Sequence, residues 1–132
     1  IPDDLFRYNT QVYSFESTFE NCHNLRTIPD GLFAHNPYVY TFQAVFNNCN
    51  KLSINPKTFY LSDSDRATRF LNQSVDFSRA FMLGIWYGSV KGTAPDLWNC
   101  DFGSGTPTKT DCFKYHSANS LTNYNDIPTD WR

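Results

Sequence analysis

The sequence predicts an α/β repeat solenoid, in which short helices dominate and a minimal parallel β-ribbon runs along one side. Residues 1–25 and 28–52 repeat at a constant offset of 27, with 13 identical residues in 25 aligned positions. The identical residues are nearly all apolar or turn-forming and the differing ones are polar, which is typical of coils that stack on matching faces. The chain also has 12 Phe and 8 Tyr in 132 residues, which predicts a core built from rings.

Later copies of the repeat are degraded but still recognisable, so we expect one domain over residues 1–132, with coils that start near residues 1, 28, 55, 94 and 127. In the third coil, Phe59-Tyr60 takes the place of Leu32-Phe33. Phe77 and Phe81 then follow Phe42 and Phe46 at an offset of 35 instead of 27. This predicts an insertion of about eight residues in or near residues 61–74, and an irregular path from about residue 61.

Each regular coil predicts the same elements in order. Pro2 and Pro29, each followed by Asp, favour a helix of one to two turns, because proline and an acidic residue suit the first helical turn. Residues 12–22 carry apolar side chains at i, i+3, i+7 and i+10, which indicates a helix of about three turns. Residues 25–28 alternate and are partly β-branched, which predicts a short strand. The Gly/Thr/Pro-rich residues 101–111 predict a loop.

The predicted core follows from the repeat, because each inward residue meets its copy in the next coil. We expect two columns of rings, Phe15 on Phe42 on Phe77 and Phe19 on Phe46 on Phe81. The full predicted core is Leu5, Phe6, Val12, Phe15, Phe19, Cys22, Leu25, Ile28, Leu32, Phe33, Val39, Phe42, Phe46, Cys49, Leu52, Phe77 and Phe81.

The repeat resembles that of the BspA-like leucine-rich-repeat proteins of bacterial surfaces, in the variant of roughly 26–27 residues shared with mycoplasma lipoprotein-like repeats. The matching residues are Phe19-x-Asn21-Cys22-x-x-Leu25-x-x-Ile28-Pro29-x-x-Leu32-Phe33, and the pattern continues to Leu52. The resemblance implies a leucine-rich-repeat-like solenoid, secreted or surface-anchored, that contacts host proteins, other cells or carbohydrate. It carries no catalytic residues over to this chain.

Two places in the third coil depart from the repeat, and we expect them to form a ligand-binding face. Trp86 and Tyr87 lie in a glycine-rich segment and could form a stacking platform for a sugar or a protein; alternatively, they cover the core. The insertion carries Arg66 and Arg69, and insertions of this kind often lie on the binding face of repeat proteins.

The remaining reactive residues predict no cofactor and no metal. The spacing of Cys22, Cys49, Cys100 and Cys112 fits no zinc motif. We expect Cys22 and Cys49 to be buried thiols, whereas Cys100 and Cys112 either remain free or form a disulfide across the loop between them. The three histidines, His23, His35 and His116, are predicted to be exposed, and none belongs to a catalytic motif.

Composition limits the function further. A net charge of −2 argues against a nucleic-acid-binding protein, and the sequence has no apolar stretch of membrane-spanning length. Within these limits, the resemblance implies a non-enzymatic recognition or adhesion module, extracellular, on a cell surface or on a virion, that binds a host or bacterial surface protein or a glycan. The alternative is a structural or assembly repeat of a phage tail or surface filament, in which the coils contact neighbouring copies. Both chain ends lie within the repeat pattern, which predicts a fragment of a longer protein.

Overall fold

The computed structural model describes residues 1–84 and 91–132, and more of these residues lie in turns than in helices and strands together. Two short strands, β1 (Ser53–Ile54) and β2 (Lys91–Gly92), pair in parallel. One α-helix, α1, spans Asp63–Thr68. Three short 3₁₀ helices follow, at Leu97–Asn99, Tyr124–Asp126 and Thr129–Trp131.

The coils are joined side by side through four equivalent turn segments, residues 14–21, 41–48, 76–83 and 108–115. In the first segment, every second N–H donates to the second segment, from Phe15 to the Thr41 carbonyl at 3.0 Å and from Phe19 to the Val45 carbonyl at 2.9 Å. The same alternation links the second segment to the third and the third to the fourth. Parallel bridges at Ser14, Thr41, Asp76 and Thr108 mark the start of each segment.

A second set of backbone contacts runs along another side of the stack. Thr27 forms a parallel bridge with Ser53, and β1 pairs with β2. The Thr122 N–H then donates to the Gly92 carbonyl at 2.9 Å. The strand predicted over residues 25–28 therefore lies in parallel contact with the next coil, but only Thr27 forms a bridge.

The helices predicted over residues 12–22 and after Pro2 and Pro29 are wrong, because these residues form successive turns. The N–H groups between those that bond the next coil do not reach four residues back: that of Glu16 donates to the Ser14 hydroxyl at 3.3 Å, and that of Thr18 donates to the Phe15 carbonyl at 3.2 Å. Ser17 and Asn21 have φ angles of 54° and 61°, in the left-handed region that interrupts an α-helix. The turn pattern repeats every four residues, so the rings recur at nearly the 3.6-residue spacing of an α-helix. The apolar periodicity therefore predicted a helix where the chain forms turns. The segment is also rich in Ser, Thr, Asn and aromatic residues, which are weak helix formers.

The predicted ring columns are confirmed. The Phe42 ring lies between those of Phe15 and Phe77, with centroids 5.9 and 5.8 Å away. The Phe46 ring lies between those of Phe19 and Phe81, at 5.3 and 5.6 Å. Phe113 extends the second column, because its ring lies 5.3 Å from that of Phe81 and nearly parallel to it.

A third column of rings shows that the predicted alignment of the third coil is wrong by one residue. Phe33 stacks on Phe6 at 5.9 Å and on Phe59 at 5.7 Å. Phe59 therefore occupies the place that the sequence alignment gave to Tyr60, because the third coil is one residue shorter at this point.

The predicted core is buried from the second coil onward and partly exposed in the first. Leu5 was predicted to be in the core but is 40% exposed, whereas its counterpart Leu32 is 4% exposed. No described coil covers the outer side of the first coil, which accounts for the difference. Five other predicted core residues of that coil are only partly buried: Phe6, Val12, Phe19, Cys22 and Leu25.

At the opposite end, the last residues fold over the fourth coil. The Phe113 N–H donates to the Trp131 carbonyl at 3.0 Å, and Trp131 is 3% exposed. The loop predicted over residues 101–111 packs against the insertion of the third coil, since Phe102 stacks on Phe70 at 5.9 Å.

Candidate functional site

Three exposed tyrosines form a surface on the first two coils, which we name the tyrosine surface: Tyr13, Tyr38 and Tyr40. Each ring is more than half exposed, at 63%, 63% and 57%. The rings of Tyr13 and Tyr40 are stacked, with centroids 5.9 Å apart and planes 7° from parallel. Exposed apolar rings held in a fixed arrangement are typical of binding surfaces.

The backbone holds Tyr40 from both neighbouring coils. Its N–H donates to the Tyr13 carbonyl at 3.0 Å, and its own carbonyl accepts from the Asp76 N–H at 2.9 Å. The next residue, Thr41, bridges to both coils, and the preceding residue, Val39, is buried. The ring is therefore carried by a backbone that needs little ordering when a ligand binds.

The ring stack ends at the third coil, where a cavity begins. The residue before the bridge is Val75 in this coil, and it is 1% exposed. A cavity of about 480 Å³ lies beside it, lined by Pro37, Tyr38, Val39, Tyr40, Gln73, Ser74 and Val75. Tyr13 does not line this cavity, so the cavity lies on the side of Tyr40 that faces the third coil.

The chemistry of this cavity suits an uncharged ligand with a flat face. None of the lining side chains carries a charge at neutral pH. Tyr40 offers a ring for stacking, and Gln73 and Ser74 offer an amide and a hydroxyl. The Ser74 oxygen already accepts from the Thr106 N–H at 3.0 Å, but its O–H group can still donate to a ligand.

Sequence reasoning missed the tyrosine surface, although the signal was present. Tyr13 and Tyr40 are identical at the offset of 27, but in a stacked repeat identical residues are expected to face inward. Both side chains point into solvent, so repetition alone does not distinguish a buried column from an exposed one.

Arg66, predicted as a ligand contact, lies in the insertion on α1 and is paired with carboxylates. Ser62 caps this helix, accepting from the Asp65 N–H at 3.1 Å. The Arg66 guanidinium donates to Asp96 at 2.7 Å and lies 3.7 Å from Asp63. The first contact joins the insertion to the fourth coil, so part of the charge of Arg66 is neutralised within the protein.

Arg69, the other predicted arginine contact, has a structural role instead. Its guanidinium donates to the carbonyls of Phe33, Asn36 and Phe59 at 2.9, 3.0 and 3.2 Å. Burial lowers the pKa of Arg69 to about 10. Asn36 makes the equivalent bonds to the preceding coil, to the carbonyls of Phe6 and Asn9, so Arg69 supplies the donor that this place in the third coil requires.

The insertion nevertheless contributes to the cavity beside Tyr40, since Gln73 and Ser74 belong to the insertion and line that cavity. The structure therefore brings one end of the insertion, but not its arginines, to the tyrosines. Trp86 and Tyr87 lie outside the described residues, so their placement on a binding face remains a prediction.

The cysteines and histidines do not form a reactive cluster within the described residues. All four cysteines are free, and the Cys49 thiol donates to the Phe19 carbonyl at 3.0 Å. His23 and His35 are exposed as predicted, but His116 is 6% exposed, so that prediction was wrong. Its Nε2 lies 2.8 Å from the Phe81 carbonyl, which makes Nε2 a donor. Burial lowers the pKa of His116 to about 4.

Similarity to known proteins assigns no role to this surface. Within residues 1–84 and 91–132, no group of three His, Cys, Asp or Glu side chains lies close enough to hold a metal ion. No helix in these ranges has the length and apolar character needed to cross a membrane. No protein-family model, curated protein or solved structure matches the chain.

Proposed function

We propose that this chain is a leucine-rich-repeat-like solenoid of the BspA-like kind, and that it is a non-enzymatic recognition module of a bacterial surface or secreted protein. In this proposal, the tyrosine surface binds a glycan or protein partner. The observation that carries the proposal is the pair of stacked, exposed rings of Tyr13 and Tyr40, which ends at an uncharged cavity.

The energetics of exposed tyrosines support a binding role. A ring that remains in water gains no hydrophobic stabilisation from folding, whereas covering it on binding contributes roughly 25 cal/mol per Å² of apolar area. Tyrosine is common in recognition surfaces, because it supplies a large rigid contact with only two rotatable bonds and a polar end.

The cavity beside Tyr40 favours a glycan over a charged ligand. The apolar face of a sugar ring can lie on Tyr40, while its hydroxyls reach Gln73 and Ser74, and no charge needs a counter-ion. A protein partner would instead place an apolar side chain in the cavity and cover the Tyr13 ring.

A glycan and protein array tests this proposal. The wild-type chain is screened first, and a Tyr40→Ala variant is then titrated against the partner it captures. We expect about a tenfold weaker affinity, since the loss of one well-placed ring costs on the order of 1–2 kcal/mol. Tyr115→Ala is the matched control, because Tyr115 is 56% exposed and does not line this cavity. Equal affinities for the two variants would exclude the tyrosine surface.

The same array tests the prediction from the sequence. A Trp86→Ala, Tyr87→Ala double variant that loses binding, while Tyr40→Ala keeps it, would move the site to that segment.

The second candidate function is a structural or assembly repeat of a phage tail or surface filament. The partly exposed core of the first coil favours this candidate, since an apolar end can contact a neighbour. Light scattering over a concentration series distinguishes the two, because an assembly protein forms larger species as concentration rises and a recognition module remains monomeric.

A further inference from the structure

A second cavity, of about 510 Å³, lies where three stretches of the chain meet, and we name it the tryptophan cavity. Its lining includes Pro56, Trp98 and the carboxylates of Asp96 and Asp126. The volume lies within the range of about 300–1,000 Å³ that is typical of ligand cavities. It shares no lining residue with the cavity beside Tyr40, so the two cavities are separate.

The indole of Trp98 is held in place at this cavity. Trp98 lies in the 3₁₀ helix Leu97–Asn99, which is anchored in the core because Leu97 is 0% exposed. The indole packs against the ring of Phe113, with centroids 6.3 Å apart and planes 81° from parallel. Trp98 is nevertheless only partly buried, so part of its ring lines the cavity. A fixed aromatic ring of this kind can bind an apolar group or an organic cation on its face.

The tryptophan cavity also carries one unopposed negative charge. The carboxylate of Asp96 is already paired, since it accepts from the Arg66 guanidinium at 2.7 Å and from the Asn99 amide at 2.8 Å. The carboxylate of Asp126 forms no ion pair in the part of the chain that the structure describes. No basic side chain lines the cavity. A cationic ligand would therefore meet a carboxylate that has no counter-ion within the protein.

Hydrogen bonds fix the wall that carries Asp126. The amide nitrogen of Asn123 donates to the Ala94 carbonyl at 3.0 Å, and its amide oxygen accepts from the Ala94 N–H at 2.9 Å. Asp126 lies in the 3₁₀ helix Tyr124–Asp126, and its N–H donates to the Asn123 carbonyl at 3.0 Å. The backbone around the carboxylate therefore needs little ordering when a ligand binds.

The same bonds favour an organic cation over a sugar or a metal ion. A sugar is recognised by free amide and hydroxyl groups, but Asn123 uses both ends of its amide on Ala94, and Asn99 donates to Asp96. A metal ion needs several ligands, and no group of three His, Cys, Asp or Glu side chains that could hold one lies in the described ranges. An organic cation needs only an aromatic face and a carboxylate, and Trp98 and Asp126 supply them.

We propose that the tryptophan cavity binds a lysine or arginine side chain of a partner protein. The cationic group lies on the Trp98 ring and pairs with the Asp126 carboxylate, while the apolar stem of the side chain packs against Pro56 and Ala94, which also line the cavity. A free polyamine carries two or more positive charges, whereas the cavity offers one unopposed carboxylate, so a single basic side chain is the better match. This site does not rest on the function proposed for the tyrosine surface.

An NMR titration with capped tripeptides tests the proposal. Acetyl-Gly-Arg-Gly-amide and acetyl-Gly-Lys-Gly-amide are added to the isotope-labelled chain, and acetyl-Gly-Gln-Gly-amide is the uncharged probe. We expect the indole N–H signal of Trp98 to shift to saturation with both basic peptides and to stay in place with the uncharged one. Asp126→Asn should weaken the binding of the basic peptides by about fivefold, the upper end for an exposed ion pair. Asp3→Asn is the matched control, because Asp3 is exposed and lies outside the cavity, and it should bind as the wild type does.

Each other outcome overturns the proposal. An equal shift with the uncharged peptide, or equal affinities of Asp126→Asn and Asp3→Asn for the basic peptides, would show that charge does not direct binding. Two further probes address the other occupants: putrescine that binds more tightly than the arginine peptide would assign the cavity to free polyamines, and methyl glucoside that does so would assign it to sugars. Unchanged amide signals from residues 41–48 show in every sample that the chain is folded.

Discussion

Replacing Phe46 with Ala removes a ring that lies between two parallel neighbours in the middle of the stack. Phe46 is 1% exposed and its centroid lies 5.3 Å from that of Phe19 and 5.6 Å from that of Phe81. Truncation of a fully buried phenylalanine costs about 3–5 kcal/mol, through lost transfer free energy and the cavity left behind. Against a total of about 5–15 kcal/mol for a domain, this is a large share of the free energy of unfolding.

Phe19→Ala is the matched control, since Phe19 holds the same position one coil earlier. Phe19 has one stacked neighbour in its column and is partly exposed, so its truncation removes less buried area. We expect a loss of about 1.5–2.5 kcal/mol, about half that for Phe46→Ala. The order of the two losses follows from stacking alone, because the side chains and their repeat positions are identical.

Urea unfolding followed by tryptophan fluorescence under reducing conditions measures both losses. The slope of free energy against urea should be the same in both variants, so that the midpoints report stability. Equal losses, or a larger loss for Phe19→Ala, would contradict a column that is covered on both sides at Phe46 and on one side at Phe19.

Three further predictions concern the turns, a histidine and the thiols. Ser17 has a φ of 54°, so Ser17→Gly should be more stable than Ser17→Ala by about 1 kcal/mol in thermal unfolding, because glycine tolerates left-handed backbone; an α-helix would give the opposite order. Burial lowers the pKa of His116 from 6.5 to about 4, so the unfolded chain takes up a proton first and stability should fall as the pH drops through that window, by up to about 3 kcal/mol. A His116→Gln variant should lack this part of the pH dependence in urea titrations, and an unchanged slope would refute the assignment. Burial raises the pKa of Cys49 and Cys100 to about 12 and that of Cys112 well above its usual value. A thiol reagent at pH 8 should therefore label Cys22 first in the folded chain, as read by peptide mass spectrometry. Equal labelling of the four cysteines would contradict this burial.

The repeat gave the ring columns correctly, because identical apolar residues at a fixed offset can be buried together only if successive coils lie side by side. The repeat could not predict the local backbone conformation. Phenylalanines four residues apart, such as Phe15 and Phe19, suit an α-helix and a four-residue pattern of turns equally well. The choice depends on where the N–H groups bond, and the structure directs every second one to the next coil.

The candidate site was less accessible from the sequence. Tyr40 repeats Tyr13 at the offset of 27 but was assigned neither to the core nor to a binding face, and its exposure follows from the path of the backbone beside the buried Val39. Arg69 looks like an exposed charge in an insertion, but it replaces the asparagine donor of the second coil and bonds three carbonyls. The role of Tyr40 was missed and that of Arg69 was wrong for the same reason, because side-chain direction depends on turns that no short pattern identifies.

The stacking of coils is tested most directly by nuclear Overhauser contacts between phenylalanine ring protons in the folded chain. We predict contacts from Phe46 to both Phe19 and Phe81, and from Phe81 to Phe113, since these centroids lie between 5.3 and 5.6 Å apart. Contacts of Phe46 that are confined to residues of its own coil, with none to Phe19 or Phe81, would contradict the stack.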